Sequence, residues 1–182
     1  DRVVDEDLVP SYPAPVPGFF NIGMLHTSLG GRPLHDTYAP TDVSTLTVKG
    51  YDYWALGHIH AREVVSETPR IVFPGNLQGR HAKETGAKGC ELISVEAGGI
   101  EGEFIPLDVV RWHQLALALN GIESLEGVGD AFRGALEPLL IGATDRLHAV
   151  RVTLTGSTEL HAAEANRPGT LDAAIRAAAQ DV

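Results

Sequence analysis

The pattern of apolar and polar residues changes twice along the chain and divides it into three parts. Residues 1–18 are charged and then proline-rich, without an amphipathic repeat, which is typical of a linker or a surface loop. Residues 19–112 contain short apolar runs of strand length that are separated by turn signals. Residues 113–182 alternate strand-like and helix-like periods, so we predict a boundary near residues 110–113.

The middle part predicts a strand, a helix and a strand, followed by further strands. The run FFNIGMLH (19–26) has the length and composition of a buried strand that ends in a histidine. The stretch APTDVSTLTVKG (39–50) predicts a short helix, with Thr41 or Asp42 near its start and Gly50 as its stop. The remaining strands are predicted in YDYWALG (51–57), RIVFPGN (70–76), GCELISVEAG (89–98) and IEGEFIPLDVV (100–110), with a hairpin turn at Gly98-Gly99.

The last part predicts a small α/β unit. WHQLALALN alternates as a strand, and GIESLEGVGDAFRGALEPLLIGA spaces its apolar residues as an amphipathic helix. A second strand is predicted in LHAVRVTLTGS (147–157) and an alanine-rich helix in GTLDAAIRAAAQDV (169–182). The chain as a whole is therefore predicted to belong to the α/β class.

Composition and charge narrow the class of protein. A length of 182 residues with 43% hydrophobic residues suits one sizeable domain or parts of two. The net charge of −10 argues against a nonspecific DNA coat, although bound metal ions can still bring an acidic enzyme to phosphates. We expect neither a membrane span nor a secretory signal, and the single cysteine, Cys90, fits a cytoplasmic protein.

The stretch ALGHIH (55–60) contains the most distinctive chemistry. Gly57 permits a sharp turn after the apolar strand, and His58 and His60 would point the same way on an extended backbone. His26 ends another predicted strand, and ligands gather at the carboxyl ends of strands in open α/β sheets. Three imidazoles there predict a metal site. The alternative is that the histidines only cap the strand and bond to backbone carbonyls.

Other polar residues allow two interpretations. Arg80 and His81 in LQGRH would suit a phosphate or the metal site, because arginine forks match phosphate oxygens. Alternatively, their loop merely packs under the sheet. His35-Asp36 are read as a ligand pair or, more simply, as a polar loop in which Asp36 caps a turn. Three further histidines of the last part, His113, His148 and His161, are predicted to be structural or solvated, and Trp54 is assigned to the core.

Several segments together resemble the calcineurin-like metallophosphoesterases, and most closely the SbcD-type DNA repair exonucleases and their bacterial relatives. In chain order these segments are IGMLHTSLGG, YAP, GYDYWALGHIH, IVFPGNLQGRH, ETGAKGCELISV and FIPLDVVRW. The resemblance covers most of residues 19–112, whereas residues 113–182 resemble only a capping domain in general terms. It implies the C-terminal half of a layered β-sandwich flanked by helices, followed by a small, partial α/β capping domain.

The resemblance also implies a mechanism and a ligand set. Family members hydrolyse phosphodiester bonds with two divalent metal ions, usually Mn²⁺. By motif, His26 and His58 would bind one ion and His60 the other. The family's first three motifs, D-x-H, G-D-x-x-D and G-N-H-[DE], do not occur in these residues, and GVGD (127–130) lies in a predicted helix. We therefore expect the C-terminal part of a nuclease, inactive as this chain alone.

Partners and alternative functions follow from the same resemblance. The parent protein would act on DNA beside an SMC-like ATPase subunit in DNA repair. One alternative is a calcineurin-like phosphatase or cyclic-nucleotide phosphodiesterase, which shares the G-H-x-H motif. Another is a non-catalytic fragment. An exposed apolar sheet would also favour a homodimer or strand exchange.

Overall fold

The chain folds into two compact units of mixed α/β structure. A computed structural model describes residues 4–30, 37–96, 99–142 and 145–180. The first unit comprises Asp1–Gln78 and Ala87–Asp108, and the second comprises Gly79–Gly86 and Val109–Val182. Strands and helices occur in both units, which confirms the α/β class.

The first unit contains a four-stranded sheet and a hairpin. The sheet strands are β1 (Ile22–His26), β2 (Tyr53–Gly57), β3 (Glu63–Glu67) and β4 (Arg70–Phe73). Their order is β1-β2-β4-β3; β1, β2 and β4 are parallel, and β3 is antiparallel to β4. The hairpin is formed by β5 (Gly89–Glu96) and β6 (Gly99–Pro106). Helix α1 (Val43–Val48) connects β1 to β2, so these parallel strands end at the same edge of the sheet.

The core of this unit surrounds Trp54 on β2, as predicted. Its side chain is fully buried, and its Nε1 donates a hydrogen bond to the carbonyl oxygen of Leu46 on α1 at 3.2 Å. The start of α1 also matches the prediction, because the side chain of Asp42 accepts a hydrogen bond from the backbone N–H of Thr45. Val9, in a short 3-10 turn, is buried against this core, so the N-terminal segment packs on the unit.

Two features of the sheet differ from the sequence prediction. β1 is not buried on both faces, because Ile22 and Met24 are 58% and 74% exposed while the alternating Gly23 and Leu25 are buried. β1 meets the core only with the face that carries Gly23 and Leu25, and the face that carries Ile22 and Met24 is exposed. Strand β3 was not predicted, since EVVSE has only two apolar residues and pairs at the other edge.

The second unit is built on a parallel pair of strands. Its elements are β7 (Val110–Ala118), α2 (Leu125–Leu140), β8 (Leu147–Thr155), α3 (Leu160–Asn166) and α4 (Thr170–Ala178). Leu117, Val128, Phe132 and Leu171 contribute to its core. Helix α3 is not predicted from the sequence, because it is short and has no buried face that would produce an amphipathic pattern. Over the described residues, we found no helix with the length and apolar character needed to span a membrane.

Candidate metal centre

His26, at the carboxyl end of β1, lies beside Gly57, at the carboxyl end of β2, because the parallel strands pair in register there. A Cβ on residue 57 would be 2.9 Å from Nδ1 of His26, closer than real Cβ atoms approach other groups. Glycine at position 57 therefore leaves the space that the imidazole occupies. The location agrees with the general placement of ligand sites at strand ends in open α/β sheets.

His58 brings a second imidazole to the same edge of the sheet. Its Nδ1 is 3.2 Å from Nε2 of His26, and the two ring planes are nearly perpendicular, at 84°. Two nitrogen ligands of one metal ion, each about 2.1 Å from it, lie roughly 3.0–3.4 Å apart at ligand angles of about 90–110°. The nitrogen spacing therefore suits two ligands of a single ion, and it equally suits an N–H···N hydrogen bond in the metal-free protein.

The backbone turn that follows β2 falls on His58, whereas the sequence pattern predicts it at Gly57. His58 has a φ of 102°, in the left-handed region that non-glycine residues rarely adopt. Such a conformation costs about 1–3 kcal/mol and is concentrated at functional sites. Because β2 ends at Gly57, His58 and His60 lie beyond the strand, with the buried Ile59 between them.

Tyr38, a residue without a predicted role, contacts both histidines. Its ring meets that of His26 edge-to-face, with centroids 5.1 Å apart, and stacks with that of His58 at 6.1 Å and 17°. The backbone N–H of Ser28 donates to the carbonyl oxygen of Tyr38 at 2.8 Å and holds this segment beside β1. The available signal was the YAP segment, which belongs to the stretch resembling the phosphoesterases.

His60, the third predicted ligand, is exposed, and its carbonyl oxygen accepts hydrogen bonds from within the first unit. Across residues 4–30, 37–96, 99–142 and 145–180, no three His, Cys, Asp or Glu side chains are grouped so that they could hold a metal ion. The structure thus brings His26 and His58 together, and a metal-binding role for His60 stays a prediction. The alternative pair His35-Asp36 lies outside the described residues.

A buried charged cluster anchors the chain just beyond the GHIH segment. The carboxylate of Glu91, only 2% exposed, accepts two hydrogen bonds from Arg62, at 2.9 and 3.1 Å, and one from Arg70, at 2.8 Å. Burial by itself would raise the pKa of Glu91, but the hydrogen bonds and positive charges of the two guanidinium groups outweigh it and lower that pKa. Arg62 is thereby tied to β5 two residues after His60.

Arg80 and His81, the predicted phosphate contacts, lie in the second unit. Their side chains are 66% and 58% exposed, and each has a nitrogen 3.7 Å from Oε1 of Glu84. The other oxygen of Glu84 accepts the backbone N–H of Arg80 at 2.7 Å, so this carboxylate shapes the loop. Contact of either side chain with a phosphate stays a prediction.

The second unit contains another pair of histidines. Nε2 of His113 on β7 is 2.8 Å from Nδ1 of His148 on β8, and the two rings are stacked at 21°. His113 is buried, which supports the structural role predicted for it. His161 is exposed on α3, as expected for a solvated residue.

Comparison with known proteins adds evidence from the sequence of both units. Residues 112–182 match the family model described as metallophosphoesterase YhaO, middle domain. The chain is also 38% identical over 159 residues to a protein of Bacillus subtilis (strain 168) named uncharacterized metallophosphoesterase YhaO. This alignment covers 87% of the chain, so it extends into both units, and the chain spans 38% of the relative's length. Together, the two matches support a metallophosphoesterase family for this chain.

Proposed function

We propose that the chain carries part of the metal site of a phosphoester hydrolase, and that the substrate is DNA. The observation that carries the proposal is the 3.2 Å separation between Nε2 of His26 and Nδ1 of His58, at the ends of adjacent parallel strands. The similarity to metallophosphoesterases supports hydrolysis of a phosphoester. The choice of DNA rests on the sequence resemblance to SbcD-type nucleases.

The two imidazoles fit a metal ion in their chemistry and in the spacing of their nitrogens. Imidazole nitrogens bind first-row divalent metals, and Gly57 leaves room for the His26 ring at its observed position. We propose that His26 and His58 hold one ion and His60 a second, with manganese as the metal. The bridging aspartate and the remaining ligands would come from the family motifs that these 182 residues do not contain. A bound metal pair would activate a water molecule and stabilise the leaving oxygen.

Other residues of the chain would orient the imidazoles or bind DNA. Tyr38 packs against both imidazoles and restricts their orientation. Arg80 and His81 are exposed donors that would contact phosphate oxygens. Because the chain has a net charge of −10, bound cations would provide the main electrostatic attraction for the phosphates of DNA. From the resemblance to SbcD-type nucleases, we propose an SMC-like ATPase as the partner and that this chain alone is inactive. The single cysteine, Cys90, supports a cytoplasmic location.

The test uses the full-length protein with Mn²⁺ and compares the His26→Ala and His58→Ala variants with His161→Ala. His161 is an exposed histidine of the second unit, so its replacement controls for the loss of an imidazole as such. We expect DNA cleavage to fall by about 100-fold or more in the first two variants, since even residues that only support a metal ligand cost 10–100-fold. The control should cleave DNA at the unmodified rate.

The choice of substrate decides between this proposal and its alternatives. Linear duplex DNA, single-stranded DNA, cyclic nucleotides and nitrophenyl phosphate esters would be compared under the same conditions. Activity on the small esters without cleavage of DNA would favour a phosphatase or cyclic-nucleotide phosphodiesterase, which shares the G-H-x-H motif. Metal-dependent activity that is equal in all three variants would refute the assignment of His26 and His58.

A further inference from the structure

We propose that Lys88 is a positioning residue for His60, an inference that rests on the proposed metal site. The Lys88 side chain lies in the first unit, and the residue is only 8% exposed. Its Nζ donates a hydrogen bond to the carbonyl oxygen of His60 at 3.2 Å. Burying an ammonium group is unfavourable unless it is paired, so its placement against one particular carbonyl is informative.

The same carbonyl oxygen is held from a second direction. The backbone N–H of Asn76 donates to it at 3.3 Å. The preceding residue, Gly75, has a φ of +79°, and a Cβ there would lie 2.9 Å from the carbonyl oxygen of His60 and 3.0 Å from the backbone nitrogen of Arg62. The PGN turn therefore packs directly on the chain that follows GHIH, and only glycine permits this approach.

The backbone of Lys88 is itself fixed, so its side chain extends from a defined point. Its N–H donates to Oδ1 of the buried Asp108 at 3.1 Å. Its carbonyl oxygen accepts from the N–H groups of Leu107, at 2.8 Å, and Asp108, at 3.1 Å. The next residue, Gly89, donates its N–H to the carbonyl oxygen of Asn76 at 3.1 Å. This bond connects the backbones of the two residues that donate to His60, Lys88 and Asn76.

These contacts give Lys88 a specific effect on the metal site. With the carbonyl oxygen of His60 engaged by two donors, the backbone at His60 is held in place, and so is the point from which its imidazole extends. Groups that orient a metal ligand without touching the metal typically change metal affinity by 10–100-fold. Lys88 would act in this way through a main-chain atom.

The experiment measures Mn²⁺ binding to the full-length protein by calorimetry for Lys88→Met, Lys88→Arg and Lys49→Met. Lys49 is a matched control, because it also donates to backbone carbonyls of the first unit, those of Pro10 and Tyr12, away from the histidines. We expect Lys88→Met to weaken binding of one Mn²⁺ ion by roughly 10–100-fold and Lys88→Arg to restore most of it. Lys49→Met should bind Mn²⁺ as the unmodified protein does.

Two further measurements separate positioning from general loss of structure. The imidazole NMR signals of His60, assigned by their disappearance in His60→Ala, should shift in Lys88→Met, while those of His161 stay in place. If Lys88→Met does not fold, Lys88→Gln retains a donor of shorter reach, and weakened Mn²⁺ binding is expected there too. Unchanged Mn²⁺ binding in the folded Lys88 variant, alongside a loss in His60→Ala, would overturn the inference and leave the proposed function standing. No loss in His26→Ala, His58→Ala and His60→Ala would instead refute the proposed metal site.

Discussion

The imidazole of His26 and a side chain at residue 57 require the same space, since a Cβ on Gly57 would lie 2.9 Å from Nδ1 of His26. We therefore expect Gly57→Ala to displace the imidazole and to lengthen its 3.2 Å separation from His58. Affinity for Mn²⁺ should fall by roughly tenfold or more in calorimetric titration of the full-length protein. An affinity equal to that of the unmodified protein would contradict this account of Gly57.

A second glycine on the neighbouring strand makes a still closer approach. A Cβ on Gly23 would be 2.3 Å from the ring of the fully buried Trp54, which has no space to move into. We expect Gly23→Ala to lower the free energy of unfolding by about 3 kcal/mol, at the upper end of the usual cost of overpacking, measured by urea denaturation. Gly134→Ala is the control, because nothing lies within 4 Å of its added Cβ on helix α2. That change should raise stability by up to about 1 kcal/mol.

The cluster around Glu91 predicts a dependence of stability on pH. Burial raises the pKa of Glu91, but hydrogen bonds from Arg62 and Arg70 lower it below its ordinary value of 4.5. Its contribution to stability should be complete above that value and should be lost as the pH falls through the lower pKa of the folded protein. Glu91→Gln should cost about 3 kcal/mol near neutral pH, because two guanidinium groups lose their buried countercharge. Urea denaturation at several pH values would measure both effects. If the difference in unfolding free energy between the unmodified protein and Glu91→Gln stayed constant as the pH falls to the acid transition, the pH dependence would not come from Glu91.

The exposed side chain of Arg80 offers a test of substrate contact. Arg80→Gln removes the guanidinium and leaves the backbone hydrogen bond to Glu84 in place. We expect a higher KM for DNA with little change in kcat, because a contact to a non-reacting phosphate contributes to binding throughout the reaction. Steady-state kinetics with Mn²⁺ would measure this, with Arg151→Gln, an exposed arginine on β8, as the control. Equal KM values for the two variants would argue against a role of Arg80 in binding DNA.

Helix α1 shows what the sequence could predict, because its signals are local. Asp42 accepts the N–H of Thr45 at the start of the helix, and Gly50 has a φ of +81° just beyond its end. Such capping residues act within one turn and are visible in a short window of sequence. Trp54 was likewise placed correctly in the core, because its strand is apolar on both sides of it.

The conformation of His58 shows why the rest could not be predicted. Its left-handed backbone is accompanied by contacts with His26 and Tyr38, residues that lie 32 and 20 positions earlier in the chain. A local pattern favours glycine at such a position and therefore pointed to Gly57. The exposed face of β1 could not be predicted for a similar reason, since an apolar run does not reveal whether both faces of its strand are covered by packing.

The segment Gly79–Gly86 interrupts the first unit in sequence and belongs to the second. Two hydrogen bonds connect it to the second unit. Nε1 of Trp112 donates to the carbonyl oxygen of Gly79 at 3.0 Å, and the N–H of Gly86 donates to the carbonyl oxygen of Trp112 at 3.1 Å. No single cut in the chain can therefore separate the two units cleanly. A protein that ended at residue 108 would contain this segment without its partners in the second unit. Preparing the first unit by itself therefore requires that residues 79–86 are also replaced with a short linker.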